Sequence, residues 1–338
     1  MRLGETIRDY TILTEPQSAA QGQWALASRH GRIYFLKMFL SPKYPPAGGP
    51  GSEAVRKRKL DECAAFERRY VHLNSSINAG QIGAGNLVVT TEFFRDGTTY
   101  YKATDVVVGC GRSDLVGLHP HQALVVIRTM LLGIRLLHNA GFVHGDLKPE
   151  NVVIQESWPG IFVGKVIDFD DGYIVGLPPE RDKVVGDQRF YSPELMMYIK
   201  GNPHVTGKDL TTASDMFALG LLIHCLVTGR LPYFDRSECN WAAEAAMKKA
   251  LVFDGVTGPL KAWLEALTQI DASKRPLIDD LLYFFVDTEP SEFVQWIIPP
   301  SPETRPSSSP TSRPPTAPGP AAAPPSSGGL KGTLKKPK

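Results

Sequence analysis

The sequence predicts an α+β protein in two parts, a small β-rich part followed by a larger helical one. Three observations carry this. Residues 10–40 hold short apolar and aromatic runs separated by glycine and polar turns, which is the strand pattern. Beyond about residue 120 the apolar positions recur at helical spacing. From Pro299 onward there are 12 of the 28 prolines and no aromatic residue, so this stretch contributes to no core.

The elements follow in order. Tyr10–Leu13, Trp24–Ser28 and Arg32–Phe39 read as strands, and 41–52 as a loop. Glu53–Asn74 reads as a charged helix with Leu60, Ala64 and Val71 spaced for one face. Leu87–Phe94 is the next strand. The helices of the second part are Gln122–Asn139, Ala213–Thr228, Trp241–Phe253, Pro259–Ile270 and Pro276–Phe285. There is no internal repeat. The resulting boundaries are 1–94, 95–298 and 299–338. The last segment carries six Lys/Arg against Glu303, and is expected to be a solvated, disordered, basic tail.

Composition narrows the class. At 338 residues, with 42% hydrophobic and 21% charged, the chain is ordinary for a soluble globular protein. Collagen-like, coiled-coil and wholly disordered readings are excluded. A net charge of +2 provides no global field toward nucleic acid or membrane. Cys63, Cys110, Cys225 and Cys239 form no C-x-x-C pair, so neither a zinc ribbon nor a disulfide framework is expected. With no secretory signal at the start, the expectation is reduced thiols and a cytoplasmic protein. The longest strongly apolar stretch, 14 residues between Asp215 and Arg230, is too short to span a bilayer and reads as a core helix.

The chemistry concentrates in His144-Gly145-Asp146-Leu147-Lys148-Pro149-Glu150-Asn151, which runs into the strand Val152–Ile154. Phosphoryl transfer needs a carboxylate to orient the attacking hydroxyl, a cation near the transferring group and an amide oxygen for a metal. One short loop holds all three: Asp146, Lys148 and Asn151. Val166-Ile167-Asp168-Phe169-Asp170 then ends a strand in a carboxylate suited to Mg²⁺. The combination strongly resembles the protein kinase superfamily.

That resemblance implies a bilobal kinase-like fold, with 1–94 as the small lobe and 95–298 as the helical one, and with ATP in the cleft between them. It implies Asp146 as the residue that takes the acceptor proton, Lys148 on the transferring phosphoryl, and Asn151 and Asp168 on Mg²⁺. Lys37, in Tyr34-Phe35-Leu36-Lys37, is placed for the α- and β-phosphates. Its helix partner is Glu67, with Glu62 as the rival. Gly22 is the one match to a phosphate-covering glycine loop in Gln17-Ser18-Ala19-Ala20-Gln21-Gly22-Gln23-Trp24. In Val88–Phe94, Thr91 is the gatekeeper, with Thr90 after a one-residue slip, and the Glu92 carbonyl and Phe94 amide read the adenine. Ser192-Pro193-Glu194 ends an activation segment, Asp215 ties the catalytic loop, and Arg275 is the buried partner of Glu194.

Three departures stand out. Gly145 replaces an arginine, and between Asp168 and Glu194 the only hydroxyls are Tyr173, Tyr191 and Ser192, so control by activation-loop phosphorylation is not expected. Asp170 replaces a glycine beside the metal site. Asp187 replaces a threonine, and its carboxylate is free to pair with Lys148. Lys148 favours Ser/Thr specificity. The Asp-Phe-Asp-Asp run, Gly-Asp-Gln before Phe-Tyr-Ser-Pro-Glu, and Leu210–Asp215 look like bacterial kinases of the tellurium-resistance-associated phosphorylation triad. That likeness implies a von Willebrand factor A protein and a metal-dependent protein phosphatase as partners. The expected function is ATP-dependent phosphorylation of protein Ser/Thr. The rivals are a pseudokinase scaffold, favoured by the thin glycine loop, and a small-molecule kinase of the same fold.

Overall fold

A seven-stranded antiparallel sheet forms the first part of the chain. The computed structural model describes residues 1–298 apart from 20–21, 47, 49–51 and 78–80. The predicted tail, 299–338, and the tip of the predicted glycine loop therefore lie outside the described residues. The strands are β1 (Thr6–Ile7), β2 (Tyr10–Ile12), β3 (Gln17–Ala19), β4 (Gly22–Arg29), β5 (Arg32–Phe39), β6 (Thr90–Asp96) and β7 (Thr99–Asp105). The order is β1-β2-β4-β5-β7-β6, with β3 paired to β4.

Side-chain alternation assigns the two faces of the sheet. On one, Ala25, Ala27, Leu36, Phe94, Tyr101 and Ala103 close a core with Ile7, Tyr10 and Ile12. On the other, helix α1 (Glu53–Ser76) packs Cys63, Phe66 and Tyr70 against Phe39, Phe93 and Tyr100. Phe93 stacks between Tyr70 and Tyr100, with ring centroids 4.0 and 5.7 Å away. Helix α1 starts where the Ser52 hydroxyl accepts from the Val55 N–H.

The sheet does not stop at Phe94. Strand β7 lies between β5 and β6, so the predicted small-lobe boundary at residue 94 is corrected to the end of β7 at Asp105. The cause is visible in Tyr100-Tyr101-Lys102-Ala103-Thr104, where a charged residue sits mid-strand and hides the apolar pattern. All five are buried.

The second part is helical: α2 (Pro120–Asn139), α3 (Pro193–Ile199), α4 (Thr212–Thr228), α5 (Ala242–Met247), α6 (Gly258–Leu267), α7 (Ile278–Asp287) and α8 (Pro290–Phe293). Helix α4 is apolar all round and buried along nearly its whole length. Helix α2 alone among the described residues is long and apolar enough to cross a membrane. Here Leu124, Val126, Ile127, Met130, Leu131 and Ile134 are fully buried in the main core. Helix α5 is shorter than the predicted Trp241–Phe253, since Lys249 turns to a φ of 56° and breaks the helix.

Two hairpin-like pairs carry the loops that matter. Strand β8 (Phe142–Val143) pairs with β11 (Tyr173–Ile174), and β9 (Val152–Trp158) pairs with β10 (Ile161–Val166). The Val88 N–H donates to the Val166 carbonyl at 2.9 Å, joining the approach to β6 to the end of β10. Asp168 follows β10 directly, which brings it beneath β5.

Candidate active site

The loop between β8 and β9 is held from below. Asp215, in the first turn of α4, accepts the His144 and Gly145 backbone N–H groups at 2.7 and 3.1 Å, and His138 Nε2 donates to it at 3.0 Å. Burial would raise the Asp215 pKa, but the His138 hydrogen bond and the loop N–H groups win and hold it below the usual carboxylate range. Burial likewise lowers the pKa of His144, whose Nε2 lies 3.2 Å from the Ile167 carbonyl. Gly145 has a φ of +79°, and a Cβ there would come within 3.1 Å of the Asp171 carbonyl. The residue that replaces an arginine is thus required by the backbone.

Three donors fix the Asp146 carboxylate. Lys148 Nζ donates to Oδ2 at 2.6 Å, Asn151 Nδ2 to Oδ2 at 2.9 Å, and the Asp187 N–H to Oδ1 at 2.8 Å. Asn151 also donates to the Asp146 carbonyl at 2.7 Å. Asn151 Oδ1 has no protein donor among the described residues. The predicted Asp187–Lys148 pair does not form, because Lys148 is taken by Asp146. The Asp187 carboxylate is gripped instead by Arg189, whose Nε and Nη2 approach within 2.9 and 2.5 Å, and Arg189 lowers its pKa against the effect of burial.

Lys37 Nζ donates to Asp168 Oδ1 at 2.8 Å and to Asp170 Oδ2 at 2.7 Å. Burial pushes the Lys37 pKa down, but the two carboxylates overcome it and leave it above its ordinary value. Asp168 has a φ of 53°, an uncommon conformation for a residue with a side chain, and its side chain is 47% exposed. A cleft of about 650 Å³ is lined by Lys37, Asp146, Lys148, Asp168, Asp171 and Trp241, among others. Its size suits a nucleotide-sized ligand. The half-exposed Asp168 carboxylate and the undonated Asn151 oxygen are hard oxygen donors, and they fit a divalent cation such as Mg²⁺.

Several predicted site residues stand elsewhere. Glu67 accepts from the Tyr100 hydroxyl at 2.6 Å, and Glu62 pairs with Lys183 at 3.0 Å. Neither meets Lys37, because Tyr70, one helical turn beyond Glu67, fills the inward position. Thr91 is exposed at a bulge in β6, and Glu92 binds Arg8, Arg29 and the Tyr10 hydroxyl. Phe94 is buried in the opposite core, stacked on Tyr10. The adenine-contact assignments to Thr91, Glu92 and Phe94 are therefore corrected: β6 is an edge strand, and β7, the neighbour of β5, leads into the second part. Gly22 has a separate backbone reason, since a Cβ there would lie 1.9 Å from the Met38 carbonyl. The expected pair of Glu194 and Arg275 does form, in a fork at 2.7 and 2.8 Å.

The sequence reasoning missed Lys102, Tyr70 and Asp171. Lys102 was signalled only as one charge in an aromatic strand. Asp171 lines the cleft, and burial, then Asp146 and Asp168, raise its pKa to about 6.

Comparison with known proteins agrees with this geometry. The protein kinase domain family matches residues 72–313. The chain is 26% identical over 285 residues to the serine/threonine-protein kinase PSK2 of Saccharomyces cerevisiae, covering 81% of this chain and 23% of that protein. It is 33% identical over 239 residues to the serine/threonine-protein kinase ssp1 of Schizosaccharomyces pombe, covering 67% and 34%. With the serine/threonine-protein kinase pkn2 of Myxococcus xanthus it shares 28% over 168 residues, covering 46% and 19%. The chain thus spans between about a fifth and a third of the length of these relatives.

Proposed function

The chain belongs to the protein kinase family, and on that premise we propose that it transfers the γ-phosphoryl of ATP to serine or threonine hydroxyls of protein substrates. The observation that carries this reading is the Asp146 carboxylate, oriented by Lys148, Asn151 and the Asp187 N–H in the same cleft as Lys37 and Asp168. A divalent metal, for which we propose Mg²⁺, would be held by Asp168 and Asn151 and would neutralise phosphate charge. Asp146 orients the acceptor hydroxyl and takes its proton. Lys148, bonded to the same carboxylate, stands ready for charge on the transferring group. Lys37 would hold the nucleotide phosphates through its ammonium. The folded Ser192-Pro193-Glu194 element, locked onto Arg275, favours a protein acceptor over a small molecule.

Activity is independent of activation-segment phosphorylation in this reading. Tyr173, Tyr191 and Ser192 are all buried, and Ser192 caps helix α3. Helix α1 is already tied to the segment by Tyr70 to Asp170 at 2.8 Å, Arg69 to the Gly172 carbonyl at 3.0 Å and Lys183 to Glu62. The likeness to the tellurium-resistance triad supports the narrower proposal of a von Willebrand factor A protein and a metal-dependent phosphatase as partners. Four unpaired cysteines are consistent with the proposed cytoplasmic setting.

The test is Asp146→Ala with Mg²⁺, labelled ATP and a generic basic protein. Transfer should fall by a factor of about 10² or more while ATP affinity stays within a few-fold. Retention of more than about a tenth of the wild-type rate would remove Asp146 from this role.

A further inference from the structure

We propose that Asp170 is the positioning residue that aims Lys37 at the nucleotide phosphates, with Lys102 and Tyr70 fixing its carboxylate, so that this kinase needs no helix glutamate for the task. The proposal rests on the phosphoryl-transfer reading above.

Lys37 and Lys102 face each other directly across β5 and β7. Directly opposed side chains lie on one face, and like charges there repel. The Asp170 carboxylate sits between them. Its Oδ2 takes Lys37 at 2.7 Å, and its Oδ1 takes Lys102 at 2.5 Å and the Tyr70 hydroxyl at 2.8 Å. Lys37, Lys102 and Asp170 are all buried. Within the cluster the two lysines balance Asp168 and Asp170.

The two carboxylates on Lys37 differ in a way that separates their work. The Asp170 side chain is 1% exposed and is held by three donors, whereas Asp168 is 47% exposed and open to the cleft. Asp168 is the one free to turn to a metal. When it does, Lys37 keeps Asp170, and its ammonium stays at the cleft wall with one carboxylate fewer to hold it back from phosphate oxygens. Lys102 supplies the counter-charge that keeps a carboxylate stable at this depth. Glu67 takes no part, since its carboxylate is bound to Tyr100.

The experiment uses the full chain and three near-isosteric variants, Asp170→Asn, Tyr70→Phe and Glu67→Gln. Mg²⁺ with ATP is titrated for affinity, and steady-state rates are measured at varied ATP and at varied basic protein substrate. Asp170→Asn should raise the KM for ATP by about tenfold or more and leave the KM for the protein substrate within about twofold. A merely structural role would lower the melting temperature without that split. Tyr70→Phe deletes a single hydroxyl, should fold normally, and should raise the KM for ATP by about threefold. Glu67→Gln should stay within about twofold on every parameter. An unchanged KM for ATP in Asp170→Asn overturns the proposal. If that variant does not fold, an unchanged value in Tyr70→Phe does so, as does a tenfold rise in Glu67→Gln. Wild-type protein that fails to bind ATP with Mg²⁺ would instead count against the kinase reading itself.

Discussion

Glu194 and Arg275 form a closed ion pair. The guanidinium forks onto the carboxylate and spends its remaining N–H groups on the Ala213, Gln269 and Ile270 carbonyls. Lys37, Asp170 and Lys102 form an open one, equally buried at its centre but ending in Asp168, which is half exposed to the cleft. The same chemistry therefore serves two ends. Where every donor and acceptor is consumed inside the protein, the pair can only hold elements together. Where one partner reaches a cavity, the pair stores a cation that a ligand can engage.

The difference can be broken at its strongest point first. Arg275→Met leaves the Glu194 carboxylate buried without its counter-charge, with the Ser214 hydroxyl still donating to it, and should cost about 3–5 kcal/mol in urea unfolding. Among molecules that remain folded, ATP affinity should be preserved. An Arg275 variant that lost ATP binding in step with stability would erase the contrast with Asp170.

Asp168→Ala addresses the open end. Because that side chain is half exposed, the unliganded melting temperature should move by no more than about 2 °C. The thermal shift produced by ATP with Mg²⁺ should vanish. An unchanged shift in a thermal titration would take the metal away from Asp168.

Asp171 sharpens the comparison through pH. Its pKa is about 6 in the folded protein, raised from the ordinary 3.8 by burial and by Asp146 and Asp168. The unfolded chain ionises first as pH rises through 3.8, so the native state loses ground until its own carboxyl ionises near 6. Above that the cost is complete. Asp171→Asn should therefore stabilise the protein by about 1–3 kcal/mol near pH 7.5 and by almost nothing near pH 4. Equal effects at both pH values would show that its charge is not what matters.

The smallest expected effect concerns phosphorylation. Exhaustive phosphatase treatment should leave the transfer rate within about twofold, because the hydroxyls of the segment are buried and helix α1 is already tied down. A tenfold drop in protein lacking residues beyond 298 would place a controlling phosphosite in the body.

The local strings were legible without coordinates. His144 to Asn151 and Val166 to Asp170 are short strings whose residue types and spacing carry the family resemblance, so Asp146, Lys148, Asn151 and Asp168 could be singled out together, although the first loop is held by the distant Asp215 and Asp187. The same holds for helix α4, whose apolar run needs no partner to be recognised. Glu194 and Arg275 were found from matching strings at both ends.

Pairing between distant segments was decided only in three dimensions. Thr91, Glu92 and Phe94 were assigned to the cleft by likening Val88–Phe94 to the family's hinge strand, yet strand order places β7 beside β5, and nothing within a strand states its neighbour. Lys102 interrupts the pattern of β7 and looks like a solvent charge until Asp170, far along the chain, arrives to meet it. Lys37 likewise required one carboxylate by its chemistry, and several stood at plausible spacing. Burial made the choice: Tyr70 filled the inward turn of α1 and Tyr100 took Glu67, while the bend after β10 carried Asp170 under the sheet. A charge in a low-dielectric interior must be matched by the carboxylate that the packing brings within about 3 Å, and sequence separation does not enter that condition.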